Sequence, residues 1–180
     1  MYINIITPCS RPENLKKISE SINIPKDNYR WIIVFDAVSL PNVDLIPINC
    51  EYYLHKDINS ISGNGQRNYA LKLVNTGYVY FNDDDTIIHP NLWDNIKNLD
   101  NDFISFQQLN INGSLRLNGN NISVGNIDSH NFIINNDIIG DNKFIINRYE
   151  SDGIFAEECF KKSKTFIHIN KPLSIYNYLR

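Results

Sequence analysis

Cysteine is scarce in this chain: Cys9, Cys50 and Cys159 stand far apart and are the only three. They form no paired metal-ligand spacing, and an odd number fits a reducing compartment, where they act as small apolar residues. No apolar run approaches the ~18 residues that span a membrane. The opening MYINIITP reads as a strand, without the basic stretch and long apolar core of a signal peptide. The expectation is a cytoplasmic protein, compatible with peripheral membrane contact or residence in an infected host cell. Positive charge is not in excess either. The net charge of -3 argues against a protein that grips nucleic acid through a broad basic surface. Nothing reads as a linker or an internal repeat.

What remains is globular in composition, 42% hydrophobic and 21% charged over 180 residues, which predicts one domain over 1–180 with a real core. The first half alternates strand and helix. Tyr2 to Thr7 reads as a strand, and Ser10-Arg11-Pro12-Glu13 has the spacing of a capping box opening a helix to about Ile22. Trp31 to Phe35 is a continuous apolar run, as in a parallel strand covered on both faces. Glu51 to Leu54 is a weaker strand. Gly65 to Asn75 reads as a helix stopped by Gly77, Tyr78 to Phe81 as a strand, and Pro90 to Leu99 as a helix.

The second half is different. Phe103 to Leu109, Asn131 to Ile134 and Phe166 to Ile169 read as strands, and 115-LRLNGNNISV-124 carries an Asn-Gly hairpin signal. Ser151 to Ser163 reads as a helix with Ser151 as its cap. The expected fold is α/β with a mixed sheet: a Rossmann-like nucleotide-binding half over 1–100 and an antiparallel half over 101–180.

Asp83, Asp84 and Asp85 follow directly on the strand 78-YVYF-81. Two carboxylates about 5 Å apart repel by about 0.8 kcal/mol in water and about 3 kcal/mol at the effective dielectric of a protein surface. A neutralising partner is therefore expected, and oxygen ligands of this kind suit Mg²⁺ or Mn²⁺. Ligands of open α/β sheets bind beyond the carboxyl ends of the strands, where this cluster falls. The plainer reading is a solvated acidic loop. Asp36 ends the strand 31-WIIVF-35 on the same rim, as a ligand contact or a turn former. Arg67 falls in the first turn of a predicted helix, disfavoured by the macrodipole by about 0.3–1 kcal/mol. Either a bound anion or a carboxylate such as Asp36 or Glu51 resolves that conflict.

In this order, 5-IITPCSRPENL-15, 32-IIVFDA-37, 65-GQRNYALKL-73 and 78-YVYFNDDDTI-87 resemble the GT-A glycosyltransferases, which transfer sugars from nucleotide diphosphates and carry a DxD motif. QRN-x-AL with YFNDDD is similar to the glucuronyltransferase branch. The stretches 128-DSHNFIINNDIIGD-141 and 149-YESDGIFAEECF-160 look more like small bacterial and viral family 2 enzymes.

The resemblance implies a single GT-A fold and a metal-dependent, inverting transfer from a nucleotide sugar, a UDP-sugar above all, to a glycan, lipid-linked or protein hydroxyl. Thr7, Pro8, Asp36, Gln66, Arg67, Asp83 and Asp84 would bind the nucleotide sugar. Asp85, with Asp83 and His168, would face Mn²⁺ or Mg²⁺, and His130 would line the acceptor site. Asp152 takes the place of the base, with Glu150 as the alternative. Read on its own, Asp152 equally serves to stabilise a helix start, and His168 to sit in a core or edge. Ser62 and Asn64 stand where a second basic residue is expected. Two other readings compete: a non-catalytic module that holds a sugar nucleotide or glycan, and a sugar nucleotidyltransferase. The latter is disfavoured because TPCSRPE is too poor in Gly and Lys for its phosphate loop.

Overall fold

The computed structural model describes residues 1–39 and 41–180. Its centre is one mixed sheet of eight strands. β1 (Ile3–Cys9), β2 (Tyr29–Phe35), β3 (Glu51–Leu54) and β4 (Tyr78–Phe81) run parallel in the order β3-β2-β1-β4. β5 (Phe103–Leu109), β6 (Leu115–Leu117), β7 (Phe132–Asn135) and β8 (Phe166–Ile175) extend it: β7 lies antiparallel between β4 and β5, β6 pairs antiparallel with the end of β5, and β8 runs parallel to β5.

Helices cover both faces, as the continuous apolar strands require. Ile3, Ile5, Trp31, Ile33 and Tyr80 pack towards α1 (Leu15–Ser21) and α3 (Leu92–Ile96). Ile6, Ile32, Val34 and Phe81 face the other way, onto α2 (Asn64–Leu71) and α5 (Ser151–Phe160), with α4 (Asn136–Ile139) beside them. The period-two alternation of strand side chains thus divides one apolar run between two cores.

Three local expectations fail. Ser10 caps no helix: Pro12–Asn14 forms a 3₁₀ turn before α1, and the Ser10 hydroxyl goes to Asp84 instead. The Asn118-Gly119 hairpin does not form. β6 folds back on β5 through residues 110–114, and Gly119 takes φ +79° against the Phe106 carbonyl. Ser151 is the first residue of α5 rather than its cap, its hydroxyl accepting from the Ile145 N–H. For Ser10 a long-range partner displaces the local one.

Two topological features place the site. β1, β2 and β4 share one direction, so their carboxyl ends form a common rim carrying Ser10, Asp36 and the acidic triplet. Because β7 runs antiparallel to β4, the turn that precedes it, 128–131, arrives at that same rim.

Candidate active site

The acidic triplet is met by the protein's own cations. Arg67, buried in the first turn of α2, pairs through Nη2 with Asp83. Its Nη1 donates to the Ser62 carbonyl at 2.6 Å, and its guanidinium lies 5.3 Å from the centre of the Phe144 ring. The conflict with the helix dipole is therefore answered by Asp83. It is not answered by Asp36, which Lys56 approaches at 3.5 Å, nor by Glu51, which pairs with Arg30 at 2.7 Å.

His130 touches the other Asp83 oxygen at 3.2 Å through Nε2, while its Nδ1 lies 3.0 Å from Asp128. Burial disfavours an imidazolium here. The two flanking carboxylates outweigh that and hold the His130 pKa well above its ordinary value. The Asp83 backbone N–H also points at Nε2, at 3.0 Å, a contact that suits a neutral ring. With a carboxylate against each nitrogen, the charged form is the one the surroundings favour. Burial likewise opposes ionisation of Asp83, but Arg67 and His130 bring it down to about 2.

Asp84 is claimed by the start of the β1–α1 connection, accepting from the Arg11 backbone N–H at 2.7 Å, from that of Ser10, and from the Arg11 guanidinium. Asp85 lies against Arg180 Nε at 2.8 Å and Arg11 Nη1 at 3.3 Å. Each of the three adjacent carboxylates therefore has a cationic partner within the protein.

A cavity of about 410 Å³ opens on this rim. It is lined by Pro8, Asp36, Gln66, Arg67 and Asp83 to Asp85, and by Arg116, Asp128, His130, Glu150 and Asp152. Gly63, at φ +75°, lets the loop before α2 approach Pro8 so closely that a Cβ would stand 2.6 Å from the Pro8 Cβ. Gln66 donates to the His55 carbonyl at 2.9 Å, which ties the first turn of α2 to the end of β3. Asp152, in the first turn of α5, makes no salt bridge among the described residues. Burial, and then Asp128, push its pKa up, against a hydrogen bond from the Gly153 N–H and the charge of Arg67. Glu150, exposed at the helix N-cap, lines the same cavity.

Two expected site residues are placed elsewhere. Thr7 is fully buried, its hydroxyl accepting from Trp31 Nε1 at 3.0 Å, and it does not line the cavity. Strand alternation turns Thr7 into the α1 core and Pro8 to the cavity. His168 sits in the middle of β8 opposite Ser105, 3.1 Å from its hydroxyl, and is likewise outside the cavity lining. Arg116, Tyr176 and Arg180 line the cavity although no motif singled them out, as does Asp128, to which no role was given. Arg116 stacks on the Tyr176 ring at 3.7 Å and pairs with Asp128 at 2.9 Å. Asp128 caps the turn into β7.

Among the described residues no group of three His, Cys, Asp or Glu side chains could hold a metal ion. Mg²⁺ and Mn²⁺ are commonly held by one or two carboxylates, with phosphate and water completing the shell. Both oxygens of Asp83 are engaged by Arg67 and His130, which weighs against it as a ligand. Asp85 Oδ1, by contrast, is buried without a hydrogen-bond partner. The donor chemistry fits a hard divalent ion at Asp85 alone.

No family model matches the chain, and no curated protein matches it in sequence. Solved structures do. TarS from S. aureus (residues 1–349) superimposes with a TM-score of 0.78 at 16% identity, over 97% of this chain and 60% of that one. The same TarS fragment in complex with UDP-GlcNAc gives 0.76 at 15% identity, over 97% and 58%. The mannosyltransferase PcManGT from Pyrobaculum calidifontis, in complex with GDP-Man and Mn²⁺, gives 0.69 at 10% identity, over 97% and 56%. The chain thus spans about three fifths of the TarS fragment and rather less of PcManGT. At these identities the likeness is one of fold, and fold alone does not carry an activity. The mixed eight-stranded sheet with its helical layers is the α/β fold of the GT-A glycosyltransferases.

Proposed function

We propose that this chain transfers a sugar from a nucleotide diphosphate, with UDP as the favoured nucleotide, to a hydroxyl acceptor with inversion at the anomeric carbon. The observation that carries the reading is the cavity itself. It brings the acidic rim of β4 together with Asp152, a carboxylate whose burial and acidic neighbours outweigh the charge of Arg67 and raise its proton affinity. Neighbours of the same fold are described with UDP-GlcNAc and with GDP-Man bound, which supports a nucleotide-sugar donor.

In this reading Pro8, Asp36 and Gln66 line the nucleoside end, and Arg67 with Asp83 and Asp84 shapes the diphosphate and donor-sugar end. A divalent ion bound at Asp85 would supply Lewis-acid stabilisation to the departing diphosphate. Asp152 accepts the proton of the acceptor hydroxyl as its oxygen bonds to the anomeric carbon and the bond to the diphosphate breaks; a raised pKa suits that task. Glu150, on the same turn but exposed to water, is the second candidate. His130, buried between Asp83 and Asp128, holds Asp83 in place; this role differs from the acceptor contact expected of it. A catalytically silent sugar-nucleotide module is the competing reading, favoured by one observation: every carboxylate of the triplet already has a partner cation.

Calorimetry with UDP, with and without Mn²⁺, tests the assignment. Binding that tightens with the ion is expected, and no UDP binding under either condition would overturn it. With a donor in hand, the anomeric proton of the product, read by NMR, reports inversion or retention.

A further inference from the structure

Residues 176–180 lie across the acidic rim and are fastened there by more than one contact. The Thr86 hydroxyl donates to the Ile175 carbonyl at 2.6 Å, and the Leu179 N–H donates to the Asp85 carbonyl at 2.7 Å. Between them Asn177 adopts φ +51°, a left-handed turn that brings the chain back, and the Arg180 N–H closes it on the Asn177 carbonyl at 3.2 Å. The turn delivers the Arg180 side chain to Asp85, Nε to Oδ2 at 2.8 Å.

We propose that Arg180 is a built-in occupant of the cation position at Asp85, which a divalent ion must displace in order to bind. This rests on the metal reading of Asp85 given above. The asymmetry of the pair points to exchange: the Asp85 side chain is 6% exposed and that of Arg180 55%. The carboxylate is fixed in the protein while the guanidinium is free to leave into water. The second Asp85 oxygen is buried and unpartnered, so the carboxylate still has acceptor capacity beyond its arginine. A guanidinium on Oδ2 and a dication on the same carboxylate would be like charges a few ångströms apart, so occupancy of one opposes the other. Arg11 also faces this oxygen, at 3.3 Å, but its guanidinium and backbone are anchored on Asp84, leaving Arg180 as the cation that yields. Once released, Arg180 stands on the lip of the cavity as a free cation for the diphosphate that arrives with the ion.

The competition is measured with Mn²⁺ alone, by the electron paramagnetic resonance signal of the free ion, on the intact chain without nucleotide. Wild type, Arg180→Ala and Asp85→Asn are titrated in parallel. A half-exposed ion pair is worth up to about a five-fold change in a binding constant, so Arg180→Ala should bind Mn²⁺ about three- to five-fold more tightly than wild type. Asp85→Asn should lose the site. Equal or weaker affinity in Arg180→Ala, with binding still dependent on Asp85, would overturn the competition and leave the metal reading standing. No Mn²⁺ binding by either wild type or Arg180→Ala would overturn the metal reading itself, and this inference with it.

Discussion

Asp83 and Asp152 line one cavity and are driven in opposite directions. Asp83 lies between Arg67 and His130 and is held down at about 2; Asp152 meets burial and further carboxylates and is pushed up. Pairing with Arg67 and His130 makes Asp83 a fixed charge that helps hold the rim in shape. On α5, Asp152 makes no salt bridge among the described residues, at a cost to stability that packing elsewhere must offset. Carboxylates whose surroundings separate their proton affinities tend to have separate tasks. The difference between the two walls is the main physical argument for placing the base on α5.

The sharpest way to break that comparison is to remove the cation from the paired side. Arg67→Ala leaves Asp83 beside His130 alone and vacates a buried guanidinium, and losing one partner of a buried pair costs about 3–5 kcal/mol. Because the Asp83 side chain keeps 24% exposure, a loss of about 3 kcal/mol in urea unfolding is expected. A loss below about 1 kcal/mol would mean that the rim does not depend on this pair.

Asp152→Asn probes the other wall and should behave in the opposite way. Turnover should fall by about 10²-fold or more as the base is lost, while stability at neutral pH is unchanged or slightly higher. The pH dependence carries the sign. A folded carboxylate with a raised pKa costs stability when ionised, and that cost is relieved as pH falls through its folded value. Asp83, with its depressed pKa, contributes stability that is complete above about pH 4 and is lost as pH drops through about 2. Between pH 7 and 4.5 wild type should therefore gain stability relative to Asp152→Asn, with Asp83 silent over that window. A difference between the two proteins that stays flat with pH would place Asp152 in an ordinary, solvated environment.

The backbone was far more legible than the site. Tyr78–Phe81 and Phe103–Leu109 are strands over the residues read from their apolar runs, because buried strands state their length in hydrophobicity. Glu51–Leu54 also matches its reading, although that edge strand is mostly exposed. β8 extends beyond Ile169 because irregular pairing with β5 carries it past Asn170 and Pro172, where local chemistry signals a break. Placement of Asp36 and the triplet on one rim followed from parallel strands ending together. Their partners were not readable: Arg67 finds Asp83 across 16 positions, and Arg180 finds Asp85 from the turn that follows β8. Ion pairs of this kind are products of the tertiary fold and leave no periodic trace in sequence. Thr7 and His168 show the converse, positions expected at the site that the strands place outside the cavity lining.

Thr7 offers the smallest of these tests and the one most specific to that difference. If its hydroxyl belonged to a nucleoside pocket, Thr7→Val would weaken UDP binding. Here the hydroxyl instead satisfies the indole N–H of Trp31, and both residues are buried. Valine keeps the shape and removes the acceptor, leaving a buried donor unpaired at a cost of about 1–2 kcal/mol. Thermal unfolding should register that loss while calorimetric UDP affinity stays at the wild-type value. Thr7→Ser, which retains the hydroxyl, should recover the hydrogen bond and fall short of wild type only by the missing methyl group, at about 1 kcal/mol. An affinity loss in Thr7→Val with stability intact would return Thr7 to the donor side of the cavity, and would mean that the wall built by β1 moves when a ligand arrives.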